Sequence, residues 1–129
     1  MTVRRVVTGI SADGKSVFLS DGASPREMAL VHTPGFVSAP LWRQVDIADL
    51  RAPNATDPIV AGGTMIMPPG GSSFWVITFP PDAVLMSPDW NPAIAGPEVA
   101  EASPGIAERM EDDHPGMHRT PTLDYVTVV

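Results

Sequence analysis

Proline and glycine are spread along the whole chain, and their density limits which folds it can adopt. The 129 residues include fifteen prolines and eleven glycines. Proline ends or kinks a helix, and glycine weakens the interior of helices and strands, so long helices are disfavoured. Short strands joined by turns are the expected result. The sequence therefore predicts an all-β domain, a barrel or a sandwich, with one short helix.

Apolar and β-branched stretches between these turn signals predict strands. The predicted strands are Thr2–Thr8, Lys15–Ser20, Glu27–His32, Phe36–Val45, Gly63–Met67, Ser73–Phe79 and Ala83–Met86. The turn at residues 12–14 predicts a hairpin, because its Asp and Gly tolerate positive φ. Residues 46–62 and 87–96 predict loops. Ser103, a good N-cap, and Pro104, well placed at the first helical position, predict a helix over Pro104–Asp112.

The stretch FWVITF at residues 74–79 predicts a strand that is covered on both faces. Alternate side chains of a strand point to opposite faces. Here five of the six residues are apolar, so both faces carry apolar side chains. Such a strand is typical of a barrel wall or a sandwich interior. We therefore expect Trp75 and Phe79 to be buried.

Charge and composition exclude several classes of partner. The formal net charge is −7, whereas a nucleic-acid-binding domain presents a basic face to phosphate. The chain has no cysteine, so it has no disulfide, no thiolate nucleophile and no cysteine metal ligand. No apolar run approaches the ~18 residues that a membrane span needs, and the N-terminus lacks the apolar core of a signal peptide. The sequence thus predicts a cytoplasmic protein with neither nucleic acid nor membrane as partner.

The last residues predict a strand that needs a partner. Tyr125–Val129 is rich in β-branched residues, and such a strand is unstable as a free sheet edge. Either the chain continues beyond residue 129 or the strand pairs with another chain. We expect a homodimer or larger assembly in which Tyr125–Val129 or Thr2–Val7 pairs across chains.

Several smaller motifs have a structural explanation as well as a functional one. The glycine-rich residues 68–73 lead into a strand and contain no lysine, so a tight turn is favoured over a phosphate loop. His32, at the end of a predicted strand, fits a polar rim position better than a ligand position. Glu111 and His114 have the Glu-x-x-His spacing of a metal site, but a solvated acidic helix end is favoured because no second copy exists. The three tryptophans, with Met65, Met67 and Met86, fit a pocket lining or a plain core equally well.

The segment from His118 to Asp124 carries the residue types of a site. His118, Thr120 and Asp124 share parity, so they face one side if the segment is a regular strand. Imidazole and carboxylate on one face suit a divalent transition metal, or a general acid–base pair. Only two good ligands are present, whereas a catalytic zinc usually has three from the protein. We therefore expect weak or absent metal binding by this chain alone.

These stretches together resemble the small bacterial cupin-domain proteins that carry an N-terminal extension. The resemblance lies in RRVVTG, SVFLSDG, HTPGF followed by LW, PPGGSSFWVITFPP and GMHRTPTLDY. In the last of these, His118 matches the first ligand of the first cupin motif, Thr120 stands in place of its second histidine and Asp124 in place of its glutamate. The glycine that closes this motif and the whole second motif would lie beyond Val129. Residues 1–129 thus resemble a single cupin-like domain or the N-terminal part of one.

The resemblance implies a small-molecule-binding protein, an isomerase, dehydratase or dioxygenase that acts on an apolar or polyketide-like substrate inside the barrel. It implies His118 and Asp124 as acid–base pair or metal ligands, and His32 or Arg119 to orient a carboxylate or carbonyl. Trp75, Thr120 and Tyr125 complete the implied substrate site. The alternative is a non-catalytic ligand-binding or assembly domain, in which the same histidine and aspartate satisfy each other.

Overall fold

Two antiparallel sheets form the body of the protein. The computed structural model describes residues 2–47, 56–113 and 116–129. The first sheet pairs two strands, β1 (Arg5–Ile10) and β2 (Ser16–Gly22). In the second sheet, strand β4 (Val37–Gln44) lies between β3 (Met28–Ala29) and β5 (Ser72–Thr78). The structure is thus mostly β, as predicted, but within the described residues the two sheets do not close into a barrel.

The hairpin of β1 and β2 is confirmed, and a network of polar groups closes its turn. The N–H of Ser11 donates to the carbonyl of Lys15 at 2.8 Å. The Ser11 hydroxyl donates to Asp13 at 2.5 Å and accepts from the Lys15 N–H at 3.1 Å. Gly14 has φ +78°, a conformation that favours glycine. The turn residues therefore set the hairpin without long-range contacts.

Strand β4 is the centre of the second sheet and the most buried strand. Its register against β5 shifts between Pro40 and Trp42, where one extra residue forms an irregularity. Proline has no N–H to donate to a sheet ladder, and a bulge is a position that tolerates it. Beyond the bulge Trp42 lies opposite Phe74, and Arg43 opposite Ser73. The bulge thus decides which side chains of β4 face each side of the sheet.

The segment between β4 and β5 supplies core side chains although it forms no strand where it is described. Ile59, Met65 and Met67 are buried there. The prediction of a surface loop over residues 46–62 is therefore wrong for Ile59, while residues 48–55 of that loop lie outside the described residues. The predicted strand Gly63–Met67 is absent as well: Gly63, with φ +90°, is not extended, and the chain bends at Met65 and Ile66. Met65 and Met67 are core residues, whereas Met86 is exposed.

The two α-helices of the described residues lie where the sequence predicted a strand and a loop, and the position predicted to be helical has only a 3-10 turn. Helix α1 (Asp82–Leu85) replaces the predicted strand Ala83–Met86, and helix α2 (Pro92–Ala102) covers the second half of the loop predicted over residues 87–96. The Asn91 side chain caps α2 by accepting from the Ala93 N–H at 3.0 Å, and Pro92 is the first helical residue. The same N-cap and proline pattern was expected at Ser103–Pro104, but the predicted helix Pro104–Asp112 is reduced to the 3-10 turn Ala107–Arg109.

Helix α2 buries small side chains and is joined to the second sheet by one buried hydrogen bond. Ala95 and Ala102 are buried, and their seven-residue spacing places them on one face of the helix. The Ser38 hydroxyl on β4 donates to the carbonyl of Ala102 at 2.8 Å. Pro97 lies inside the helix and removes one internal hydrogen bond. Tertiary contacts therefore stabilise a helix of weak intrinsic propensity.

The prediction that Trp75 and Phe79 are both buried is wrong. Phe79 is 70% exposed and Trp75 is only half-buried, and Phe74 on the same stretch is 60% exposed. Strand β5 lies at the edge of its sheet, so its side chains are covered less completely than those of a barrel wall. The ring of Phe79 still packs against Phe36 edge to face, with centroids 5.4 Å apart. The two-sided apolar pattern of β5 thus leaves aromatic surface open to solvent.

The predicted terminal strand Tyr125–Val129 is not a strand within this chain. Residues 119–129 pair with no other strand of the described chain, and an isolated bridge joins His118 to Met110. Tyr125 is 91% exposed and Val128 is 94% exposed. A strand needs a partner for its backbone groups, and none of the described residues supplies one here.

Candidate functional site

An open groove lies where β1 meets the β4–β5 pair. Its volume is about 330 Å³, and its lining comprises Arg5, Val6, Val7, Thr8, Leu41, Trp42 and Phe74. Five of these seven residues are apolar. Ligand pockets of proteins typically have about 300–1,000 Å³ and a mostly apolar lining with a few polar groups. The groove is at the lower end of this size range, is open to solvent and has a mostly apolar lining.

The aromatic wall of the groove comes from neighbouring strands of the second sheet. Trp42 on β4 lies directly opposite Phe74 on β5, so the two side chains share one face of the sheet. Phe74 is largely exposed and Trp42 is half-buried. On the facing strand, Val6 is also largely exposed. Apolar surface on both walls thus remains accessible to a ligand.

The charged residue of the groove is already neutralised. The Arg5 guanidinium donates to both carboxylate oxygens of Asp57, at 2.5 and 2.6 Å, and its Nε donates to the carbonyl of Leu41 at 2.5 Å. This pairing holds the pKa of the Asp57 carboxyl below its usual value, although burial acts in the opposite direction. The Ile59 N–H also donates to Asp57, at 3.0 Å. Arg5 therefore joins the loop before β5 to β1 and leaves the groove without net charge.

The predicted C-terminal site residues lie on the surface, outside this groove lining. The Arg119 side chain forms an ion pair with Glu111, and the backbone N–H of Arg119 donates to the backbone carbonyl of Arg109 at 3.1 Å. The Thr120 and Thr122 hydroxyls lie 2.6 Å apart. His118, Asp124 and Tyr125 are exposed. The structure therefore shows a surface segment here and not the inner face of a barrel.

The expected alignment of His118, Thr120 and Asp124 required a regular strand. Residues 119–129 do not form one, so shared parity does not place these side chains on one face. In the described ranges, no group of three or more His, Cys, Asp or Glu side chains could hold a metal ion. His114, a possible further ligand, lies outside the described residues. The described residues therefore do not fit the divalent metal that the cupin resemblance implies.

The interaction that the structure shows for His32 involves its backbone N–H and not its imidazole. The Glu98 carboxylate on α2 accepts the N–H groups of Val31 at 2.6 Å and of His32 at 2.8 Å. These hydrogen bonds, that of Val31 foremost, and the charge of His32 lower the pKa of Glu98. The His32 residue is exposed. Glu98 therefore ties α2 to the loop between β3 and β4, and this tie is what the structure shows for His32.

The groove residues were only partly foreseen from the sequence. Trp75, the aromatic residue expected in the site, lies opposite Pro40 and is not part of the groove lining. Its neighbour Phe74 lines the groove instead, on the other face of β5. Trp42 was considered as a pocket residue without a preference over core packing. The bulge after Pro40 determines which face of the second sheet Trp42 occupies. Pro40 is therefore the residue in the sequence that could have indicated that Trp42 and Phe74 share the groove face.

The chain was compared with models of protein families, with curated proteins and with solved structures, and none of the three comparisons produced a match. Across the residues that the structure describes, no helix is both long enough and apolar enough to cross a membrane.

Proposed function

We propose that this chain is a cupin-like domain that binds an apolar small molecule in the groove between β1 and the β4–β5 pair. The observation that carries the proposal is the exposed aromatic wall formed by Trp42 and Phe74. Large apolar side chains left open in a concave site gain free energy when a ligand covers them, at about 25 cal/mol per Å² of apolar surface. Neutralisation of Arg5 by Asp57 favours an uncharged or weakly polar ligand at this position.

The cupin resemblance adds the expectation of a reaction on that ligand. It assigns proton transfer to His118 and Asp124, as in an isomerase or dehydratase, with a dioxygenase as the third reaction class. Neither side chain belongs to the groove lining. Binding is therefore the part of the proposal that the geometry supports, and catalysis by His118 and Asp124 rests on the resemblance.

Binding is tested with an uncharged fluorescent probe, 1-aminoanthracene, titrated against the full chain. We expect saturable binding that quenches tryptophan fluorescence, and we expect Phe74→Ala to weaken it by about tenfold to a hundredfold, since a buried phenyl ring contributes about 1.5–3 kcal/mol. Phe79→Ala is the matched control, because Phe79 follows the same strand and is also exposed but does not line the groove. Equal effects of the two substitutions, or no saturable binding, would overturn the proposal.

The second candidate is an assembly domain, and the exposed C-terminal segment favours it. Leu123, Tyr125, Val126 and Val128 are each more than 80% exposed, an amount of apolar surface that a soluble monomer rarely leaves uncovered. Strands β1 and β2 each pair on one side within the described sheets, so each offers an edge to a second copy. The proposal is a homodimer in which residues 122–129 add to such an edge.

Light scattering across a dilution series tests the dimer. We expect a dimer for the unmodified chain and a monomer for the doubly charged variant Val126→Lys, Val128→Lys, since charges on an edge strand oppose pairing. Thr127→Lys, whose side chain alternates to the other face of an extended segment, is the control and should perturb the dimer less. A folded monomer of the unmodified chain at high protein concentration would refute the assembly proposal.

A further inference from the structure

Two half-buried arginines have no carboxylate partner, although the protein is strongly acidic. The chain has fifteen acidic and eight basic residues. In the described ranges, four cationic side chains form ion pairs, as Arg4–Asp21, Arg5–Asp57, Lys15–Asp13 and Arg119–Glu111. Arg26 and Arg43 form no ion pair with any described carboxylate. Both are partly withdrawn from solvent, where an uncompensated charge is unfavourable.

The Arg43 guanidinium lies on a two-glycine turn. One of its terminal nitrogens donates to the carbonyl of Gly62. A Cβ atom on Gly63 would approach Arg43 Nη1 to 2.9 Å, so the guanidinium covers that backbone directly. The Arg43 Nε is buried and has no hydrogen-bond partner. A buried N–H without an acceptor costs free energy until an acceptor arrives.

The Arg26 guanidinium, on the segment before β3, contacts a side chain two residues beyond this turn. Its Nη1 lies 3.9 Å from the sulfur of the buried residue Met65, a weak acceptor. Burial lowers the pKa of Arg26, and the positive charge of Arg43 lowers it further. Each guanidinium group thus contacts a residue of the segment 62–65, Arg43 the carbonyl of Gly62 and Arg26 the sulfur of Met65, and neither forms an ion pair with a described carboxylate.

We propose that Arg26 and Arg43 form a binding site for an oxyanion, a carboxylate or a phosphate group, at the Gly62–Gly63 turn. Guanidinium groups present planar pairs of N–H donors that match both anions, and such charge-assisted hydrogen bonds are strong. The bound anion would accept from the guanidinium N–H groups of both arginines and neutralise them. Successive residues of β4 point to opposite faces, so this site lies on the other side of the strand from Trp42. It is therefore separate from the proposed apolar groove.

Glu27 is the one neighbour that competes with this proposal. It follows Arg26 in the chain, and its Oε2 is buried without a hydrogen-bond partner. No ion pair joins it to Arg26 or Arg43. If Glu27 neutralised the arginines in solution, no external anion would be needed. The experiment therefore includes the variant Glu27→Gln.

The site is tested by nuclear magnetic resonance of arginine Nε–H groups during separate titrations with inorganic phosphate and acetate. Ionic strength is held constant with sodium chloride. We expect a saturable shift of the Arg43 Nε–H signal, and Arg26→Gln should raise the Kd about tenfold, the cost of one charged hydrogen bond. Arg109→Gln, which removes an exposed arginine that also lacks an ion pair with a described carboxylate, should leave the Kd unchanged. Stronger saturation by phosphate indicates a phosphate ligand, and stronger saturation by acetate a carboxylate ligand.

Thermal unfolding in anion-free buffer separates a binding site from a structural role. We expect Arg26→Gln to leave the Tm unchanged or to raise it, because it relieves repulsion between two like charges. Arg43→Lys keeps the charge but loses the planar pair of donors, and it should weaken anion binding while the protein remains folded. The proposal is overturned if neither anion gives a saturable shift, or if Arg109→Gln weakens binding as much as Arg26→Gln. A loss of Tm in Arg26→Gln equal to that in Glu27→Gln would also overturn it, by showing that the two residues neutralise each other.

Discussion

Substitution of Asp57 by asparagine should destabilise the protein strongly, because it leaves the charge of Arg5 buried without a counter-ion. The side chains of Arg5 and Asp57 are 6% and 9% exposed. Two short hydrogen bonds join them, at 2.5 and 2.6 Å. Asparagine has nearly the same shape, but one of its two terminal atoms is a donor and would face a donor of Arg5. The substitution therefore removes the charge and one hydrogen bond without creating a cavity.

The expected loss is about 3–5 kcal/mol in the free energy of unfolding, the usual cost of removing one partner of a buried ion pair. A domain of this size has about 5–15 kcal/mol in total, so the loss is a large share of it. The double variant Arg5→Met, Asp57→Leu should recover most of the loss, since apolar side chains of similar volume can replace a buried pair. Recovery would show that the cost comes from the unpaired charge.

The chain contains a matched control for this prediction. Arg4 and Asp21 form the same two-pronged contact, with both hydrogen bonds at 2.8 Å. Their side chains, however, are 75% and 46% exposed. Exposed ion pairs contribute little because water screens them. We therefore expect Asp21→Asn to leave the stability nearly unchanged.

Urea unfolding followed by circular dichroism measures both substitutions, and its pH dependence tests the cause. Arg5 lowers the folded-state pKa of Asp57 below the unfolded value of about 3.9. The pair therefore stabilises the fold above that pH, and this stabilisation disappears as the pH falls through the lower, folded-state pKa. Asp57→Asn should abolish this part of the acid sensitivity. If Asp57→Asn costs no more than Asp21→Asn at neutral pH, the reasoning from burial is wrong.

Three further predictions concern the backbone, one helix contact and the second sheet. Gly105→Ala should cost at least about 1–2 kcal/mol in urea unfolding, because φ is +94° and the new Cβ would collide with the Thr64 side chain. Gly96→Ala, inside a helix with open space around it, should instead be neutral or stabilise by up to about 1 kcal/mol. The lowered pKa of Glu98 means that its two backbone hydrogen bonds weaken as the pH falls through that pKa, so the protection of those two amides relative to their intrinsic exchange rates should fall in acid, and Glu98→Gln should remove this pH dependence of the protection. Trp75→Ala should cost about 2 kcal/mol in thermal unfolding, since the side chain is half-buried and full burial corresponds to about 3–5 kcal/mol; no change would place the indole in solvent.

The sequence predicted the backbone conformation correctly where neighbouring residues alone determine it. The hairpin turn at residues 11–15 needs a small polar residue and a glycine with positive φ, and both are visible in the sequence. The strand at residues 72–78 was likewise found within a residue of its bounds. Its burial was not, because exposure depends on which layer covers the sheet. Alternation shows that both faces are apolar but not whether anything packs on them.

The helix positions illustrate how capping signals recur at more than one place. Asn91–Pro92 and Ser103–Pro104 present the same combination of N-cap and first-turn proline, and the sequence favoured the second. In the structure the first begins the long helix. The reason is tertiary: Ala95 and Ala102 are buried, and Ser38 on β4 donates to the carbonyl that ends the helix. A contact with a residue more than sixty positions away leaves no local signal.

The proposed acid–base role of the C-terminal segment requires that the segment pair with another strand. Shared parity puts His118 and Asp124 on one face only when a partner strand keeps the backbone extended, and the described chain provides no such partner. Addition of residues 122–129 to a sheet edge of a second copy would restore the alternation, with Asp124, Val126 and Val128 on one face. Tyr125 would then face the opposite side from Asp124, so both cannot serve the same pocket. The dimer proposal and the acid–base proposal are therefore coupled through Asp124: if the charged variant Val126→Lys, Val128→Lys is monomeric, any activity that depends on Asp124 should disappear with the dimer, while probe binding in the groove at Phe74 should remain.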